Sequence, residues 1–135
     1  MKAYNAQKHV KDRTNARQNA ARMNALGRAQ SLLRVARYRA SRLNLPFDLD
    51  AASIAYLIEH TVCPYTLQPF VLVRGRSPWA PSIDRIDNSK GYTQDNCSVV
   101  SFWWNIAKNK WPEEITAIAL MGLKEAIKQM EFGSP

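Results

Sequence analysis

Cysteine and histidine are scarce in this sequence, and that scarcity narrows the chemistry. Two cysteines in 135 residues, Cys63 and Cys97, cannot build a disulfide scaffold, so a reducing, cytoplasmic setting is expected. The two histidines, His9 and His60, leave little imidazole for acid–base work, and a lone histidine is more often structural. Nothing approaches the roughly 18 consecutive apolar residues of a membrane span. The N-terminus also lacks the apolar core of a secretory signal.

Acidic residues are nearly missing from the first third. Residues 1–45 hold eleven basic side chains against one acid, Asp12, while residues 46–135 are close to neutral. The 46% hydrophobic and 22% charged composition is that of an ordinary globular chain of one-domain length. A basic arm on a near-neutral domain is the footprint of a polyanion binder. DNA is the expected partner, with RNA left open. Arg13, Arg17, Arg22, Arg28, Arg34 and Arg37 are the candidate phosphate contacts in the arm. The plainer alternative is a solvated helix that is basic for solubility. Membrane binding is not expected, because the arm has few large apolar residues to bury.

Residues 3–44 contain one glycine, Gly27, and no proline. Their alanine and arginine content predicts one or two helices, with a break near Gly27 and a stop at Pro46. Asp50 fits the N-cap of a short helix carrying Ile54, Ala55, Leu57 and Ile58. From Cys63 onward prolines punctuate short extended pieces. Phe70-Val71-Leu72-Val73 is the clearest strand by composition, and Ser82–Ile86 and Cys97–Ser101 are two more. Between those two lies a turn-forming loop, Asp87-Asn88-Ser89-Lys90-Gly91. A helix is expected over Phe102–Lys110. Pro112, Glu113 and Glu114 suit the first turn of a last helix. Ile115, Ile118, Ala119, Leu123, Ala126, Ile127 and Met130 recur on it at helical spacing, which predicts a helix packed in the core.

The informative stretch runs Ser82-Ile83-Asp84-Arg85-Ile86-Asp87, then Lys90-Gly91-Tyr92, then Asn96-Cys97, then Asn105-Ile106-Ala107-Lys108. Over roughly residues 45–118 it resembles the HNH, or His-Me finger, nucleases, in the small phage-type variety with Asp-Arg-Ile-Asp. The resemblance implies a ββα-metal core. Asp84 and Asn105 would then be the ligands of Mg²⁺ or Mn²⁺, and Asn96 the tether of the loop. An anionic and a neutral oxygen leave most of an octahedral shell for water and phosphate, which suits Mg²⁺. Taken singly, Asp84 could cap a turn, Asn96 could be a turn residue and Asn105 could be solvated. Lys90, Lys108 and Lys110 are expected along the phosphate path.

One departure from that pattern bears on activity. The usual histidine base is replaced by Arg85, whose guanidinium, with a pKa above about 12, cannot accept a proton from water at neutral pH. It can instead grip a phosphate through two N–H groups. Three outcomes stay open: another base, with His60 and Asp87 nearest in sequence; attack by metal-bound water with weak base help; or a fold that binds without cutting. The resemblance also places a four-cysteine zinc knuckle where this chain has Cys63, Thr66, Ser101 and Trp104. One thiol in four cannot hold zinc, so no structural zinc is expected. Trp103 or Trp104, with Phe102 and Cys97, should fill the space by packing, and most of the tryptophans should be core rather than base-stacking platforms.

The reading is therefore an α+β domain: a ββα core over residues 46–135 with a C-terminal packing helix, preceded by a basic helical arm over 1–45. Its expected function is metal-dependent endonuclease cleavage of DNA, and the alternative is an inactive HNH-fold DNA-binding or inhibitory phage protein.

Overall fold

A computed structural model describes residues 24–132. The first helix, α1 (Ala25–Leu43), is capped by Asn24, whose side chain accepts from the Gly27 N–H at 2.7 Å. Gly27 therefore lies in the first turn, and no break follows it. Ala25, Ala29, Leu33, Ala36 and Ala40 form one buried stripe at spacings of four and three, the repeat of a single helix face. Small side chains let α1 approach α2 (Ala51–His60) closely, and Ile54 and Ile58 of α2 complete the contact. The described half of the basic segment thus lays its alanine side on the core and turns Arg34 and Arg37 to water. Asn44, in the left-handed region at φ 55°, closes α1 by donating its N–H to the Ala40 and Ser41 carbonyls.

Asp50 caps α2, with one carboxylate oxygen 2.8 Å from the Ser53 N–H. Two short strands, β1 (Pro81–Arg85) and β2 (Cys97–Ser101), pair antiparallel with Asp84 opposite Ser98. Ser101 ends β2 and caps α3 (Phe102–Lys108), so strand passes to helix without a linker. The last helix, α4, runs Glu113–Phe132. The result is a mixed helix-and-strand fold around a two-stranded sheet. No described helix is long and apolar enough to cross a membrane.

Three expectations fail here. Phe70–Val73 is not a strand: no neighbouring segment pairs with it beyond an isolated bridge at Pro69 and a Val71 N–H to Trp79 carbonyl bond. Phe70 and Leu72 pack against the core from extended coil. The C-terminal helix is not core either, because only Thr116 is buried and Leu120 half-buried, while Ile115, Ile118, Leu123, Ile127 and Met130 face solvent. The tryptophans divide differently than expected as well. Trp104 is buried on Cys63 and Val100 with Tyr65 stacked on it at 4.2 Å, whereas Trp79, Trp103 and Trp111 are exposed. At the Cys63 sulfur, burial raises the thiol's pKa. Polar groups of Thr66, Ser101 and Tyr65 around the sulfur outweigh that and bring it to about 7.

The loop between the strands is fastened twice. Asn96, 5% exposed, accepts from the Asp87 N–H at 2.9 Å and donates to the Asp87 and Gly91 carbonyls at 3.0 and 2.8 Å. Gly91 lies flat against Pro46, and the Tyr92 N–H donates to the Pro46 carbonyl at 3.0 Å. A Cβ on Gly91 would run into that carbonyl oxygen and come within 2.8 Å of the proline Cγ and Cδ. Gly91→Ala should therefore destabilise the chain by about 2–4 kcal/mol, seen as a lower urea midpoint at unchanged slope. A midpoint equal to wild type would show that the two segments are not so closely opposed.

Candidate active site

Asp84 sits near the end of β1 at 3% exposure, and Lys108 closes α3 at 1%. The Lys108 ammonium lies 2.7 Å from Asp84 Oδ2 and donates to the Arg85 carbonyl at 3.0 Å. Burial pushes the Asp84 carboxyl above its ordinary value, and Lys108 offsets only part of that rise. Glu113, at the start of α4, comes within 3.9 Å of the same ammonium and accepts from the Tyr65 hydroxyl at 2.6 Å. Burial and that carboxylate push the Tyr65 phenol upward. Lys108 was expected on the phosphate path. Its burial removes it, because a lysine that already serves a carboxylate and a carbonyl inside the protein cannot reach a backbone phosphate.

Asn105 is oriented from β1. Its Nδ2 donates to Ser82 Oγ at 2.7 Å and to the Ile83 carbonyl at 3.2 Å. A carbonyl can only accept, so this pairing fixes which end of the amide is nitrogen and leaves Oδ1 without a described donor. Asp84 Oδ1 is likewise without one, since Lys108 takes Oδ2. Both residues border one cleft of about 400 Å³, shared with Arg39, Arg85, Asn88, Tyr92, Asn109 and Lys110. Two oxygen donors of this kind fit a hard cation that takes the rest of its shell from water and phosphate. Among the described residues no three His, Cys, Asp or Glu side chains gather into a metal cage. A cation here would therefore rely on the substrate for much of its hold.

Arg85 is folded back on the loop. Its Nη1 donates to the Asn88 and Lys90 carbonyls, both at 3.1 Å, and its guanidinium carbon sits 4.8 Å from the centre of the Tyr92 ring. The described bonds leave Nε and Nη2 for a ligand. Of the two alternative bases, His60 ends α2 beside Tyr56 and Glu59 and does not line the cleft. Asp87 borders an adjoining groove instead, and hydrogen bonds from Ser89 hold its carboxyl below the ordinary value. Lys90 is exposed on the loop and Lys110 on the cleft wall. Arg28 donates to the Val73 carbonyl at 3.0 Å, and Arg37 lies over the Phe47 ring. Arg13, Arg17 and Arg22 fall outside the described residues. Arg39 was missed altogether. It carries no motif, and it reaches the cleft only because α1 packs beside β1.

Comparison with known proteins agrees with this geometry. No protein-family model matches the chain, and no curated protein is similar to it. Among solved structures it is similar to the rare-cutting HNH restriction endonuclease PacI, with a TM-score of 0.51 at 17% identity over 73% of this chain and 78% of that one. The fold is of the HNH type. In this HNH-type core the pin between strand and helix is the Asp84–Lys108 pair, and its energetics can be tested apart from any activity. Lys108→Met leaves a buried carboxylate alone and should cost about 3–5 kcal/mol in urea unfolding. Adding Asp84→Leu should recover most of that loss, because neither charge then remains. A double variant as unstable as the single would mean that packing, not the stranded charge, sets the cost.

Proposed function

We propose that the chain is a metal-dependent nuclease that hydrolyses a phosphodiester of DNA in the Asp84–Asn105 cleft. The observation that carries this reading is that Asp84 and Asn105, each with a side-chain oxygen that no described group bonds, border one cleft with Arg39, Arg85 and Lys110 within an HNH-type fold. A divalent cation held through those oxygens would supply Lewis-acid polarisation of the phosphate and steady the leaving oxygen. The protein's own groups do the rest. Lys108 fixes the Asp84 carboxylate, Ser82 and Ile83 aim the Asn105 amide, and Arg39 and Lys110 hold neighbouring phosphates. Arg85 contributes charge to the scissile phosphate through the nitrogens its loop does not use.

Among the described residues no histidine borders the cleft, and in this reading the attacking water gives its proton to solvent. Water adds to phosphorus, the bond to one ester oxygen breaks, and that oxygen leaves with a proton. The nicking rate should then climb about tenfold per pH unit between roughly pH 6.5 and 8.5, with no plateau near a histidine pKa of about 6.5. A bell-shaped profile would point to a base in the protein and overturn this account of the proton.

Binding without cleavage is the second reading, and one observation favours it: Lys108 already neutralises Asp84, which weakens the pull on a cation. Nicking of supercoiled plasmid with Mg²⁺ or Mn²⁺ separates the two readings. Asp84→Asn keeps an acceptor for Lys108 but strands its charge at a cost of about 3–5 kcal/mol, so nicking should drop by at least about a hundredfold in a sample whose helical circular dichroism matches that of wild type. Nicking that persists in Asp84→Asn sinks the nuclease reading. No nicking by wild type, with DNA binding intact, selects the second. In either case Arg39→Ala should weaken binding to all sequences alike and reduce the log–log salt slope by about 0.9.

A further inference from the structure

A second cavity, of about 280 Å³, opens beside the cleft between α1 and the start of β1. Its α1 wall is Arg28, Leu32, Val35 and Arg39, at spacings of four, three and four, which is one face of a helix. Pro81 and Phe102 supply apolar surface from the other side, and Arg76 lines it from the segment before β1. Among the described residues no acid lines it. Arg28 already donates to the Val73 carbonyl. Arg39 and Arg76 are exposed, and no described group pairs with either. An apolar hollow bordered by unneutralised guanidinium groups suits a ligand that is flat and apolar in one part and anionic in another.

The cavity and the cleft are continuous. Arg39, Ile83 and Tyr92 line both. Ser82, on the cavity wall, accepts from the Asn105 amide at 2.7 Å, and the Tyr92 ring carries the Arg85 guanidinium on the cleft side. A strand lying in the cleft therefore passes the mouth of the cavity. We infer that the cavity takes the base of one unpaired nucleotide of the DNA strand held in the cleft, with that nucleotide's phosphate on Arg39 and Arg76. This rests on the reading of the cleft as a DNA site. A base is flat enough to lie against Leu32, Val35 and Phe102, and a guanidinium holds a phosphate through two N–H groups. The volume is at the small end for ligand pockets, with room for one base and not for a base pair. A base enters only after leaving its stack, which costs least where it is already unpaired. The substrate class is thus DNA with an unpaired nucleotide beside the bond that is cut. Residues 1–23 are unsuited as the occupant, because their six basic side chains against Asp12 would meet the same arginines.

Fluorescence anisotropy of the full chain in EDTA, where nothing is cut, tests this apart from nuclease activity. Three labelled probes are compared: a perfect duplex, the same duplex with one bulged thymidine, and the same duplex with an abasic residue at the bulge. The bulged thymidine should bind at least about tenfold tighter than the other two. Phosphate charge does not give that order, since the three probes carry nearly the same number of phosphates. Val35→Glu and Arg76→Ala should each bring the advantage to within about twofold. Both side chains are exposed, so the urea midpoints should match wild type. Equal binding of all three probes overturns the inference, while plasmid nicking would still uphold the nuclease reading. An advantage shared by the abasic bulge means that a flexible backbone is recognised, and overturns it too. Thymidine monophosphate that abolishes the advantage at the probe's own concentration assigns the cavity to a free nucleotide and overturns its assignment to the strand.

Discussion

A carboxylate and an ammonium, 2.7 Å apart and both nearly shut off from water, join the strand and the helix on which the site is built. The attraction alone does not explain their presence, because taking two such ions out of water costs several kcal/mol each and the pair roughly repays that. Direction is what the pair supplies. Asp84 can be buried only where an ammonium meets it, and Lys108 only where it also reaches the Arg85 carbonyl. The orientation of α3 against β1 is thereby chosen from the many that apolar packing would accept. Asn105, one turn before Lys108 on the same helix, is carried into place with it.

The same pin reaches outward. Glu113 touches the Lys108 ammonium from one side and the Tyr65 hydroxyl from the other, and Tyr65 stacks on the buried Trp104. The attached turns of α4 and the Cys63 corner are in this way connected to the cleft. On the opposite flank Asn96 and Gly91 hold the loop against Pro46, and that loop supplies the carbonyls on which Arg85 rests. An arginine fixed by backbone acceptors and an aromatic face has lost much of its rotamer freedom already, so less would be lost were it to bind a ligand.

Much of the local structure was legible in the sequence because it is written in local chemistry. Asp50 reads as a cap, and it is one. The turn formers between Ile86 and Cys97 separate two strands, and Asn96 makes the bonds that bridge the loop. What the sequence hid depends on partners distant along the chain. Phe70–Val73 has the composition of a strand, but strand formation needs a neighbour that pairs, and composition says nothing of one. The inner stripe of α1 is mostly alanine, so a search for large apolar residues passes over it. Lysine is rarely buried, and nothing in the spelling of Asn105-Ile106-Ala107-Lys108 says that its last residue is. Arg39 reaches the cleft through tertiary packing alone.

The C-terminal helix shows the limit of periodicity most directly. A stripe of Ile, Leu and Met at helical spacing states that a face will be shielded from water, but not that the shield belongs to the same molecule. In a chain of net charge +8 the two possibilities differ in electrostatic cost. Packing within one copy brings no new charge close, whereas association brings eight charges toward eight and must be arranged where the local field is weakest. Beyond its attached turns α4 carries Glu125 and Glu131 against Lys124 and Lys128, so its exposed part is close to neutral. The basic residues of α1 and of the cleft lie on other elements. The apolar face and the cationic one are thus carried by separate elements of the fold.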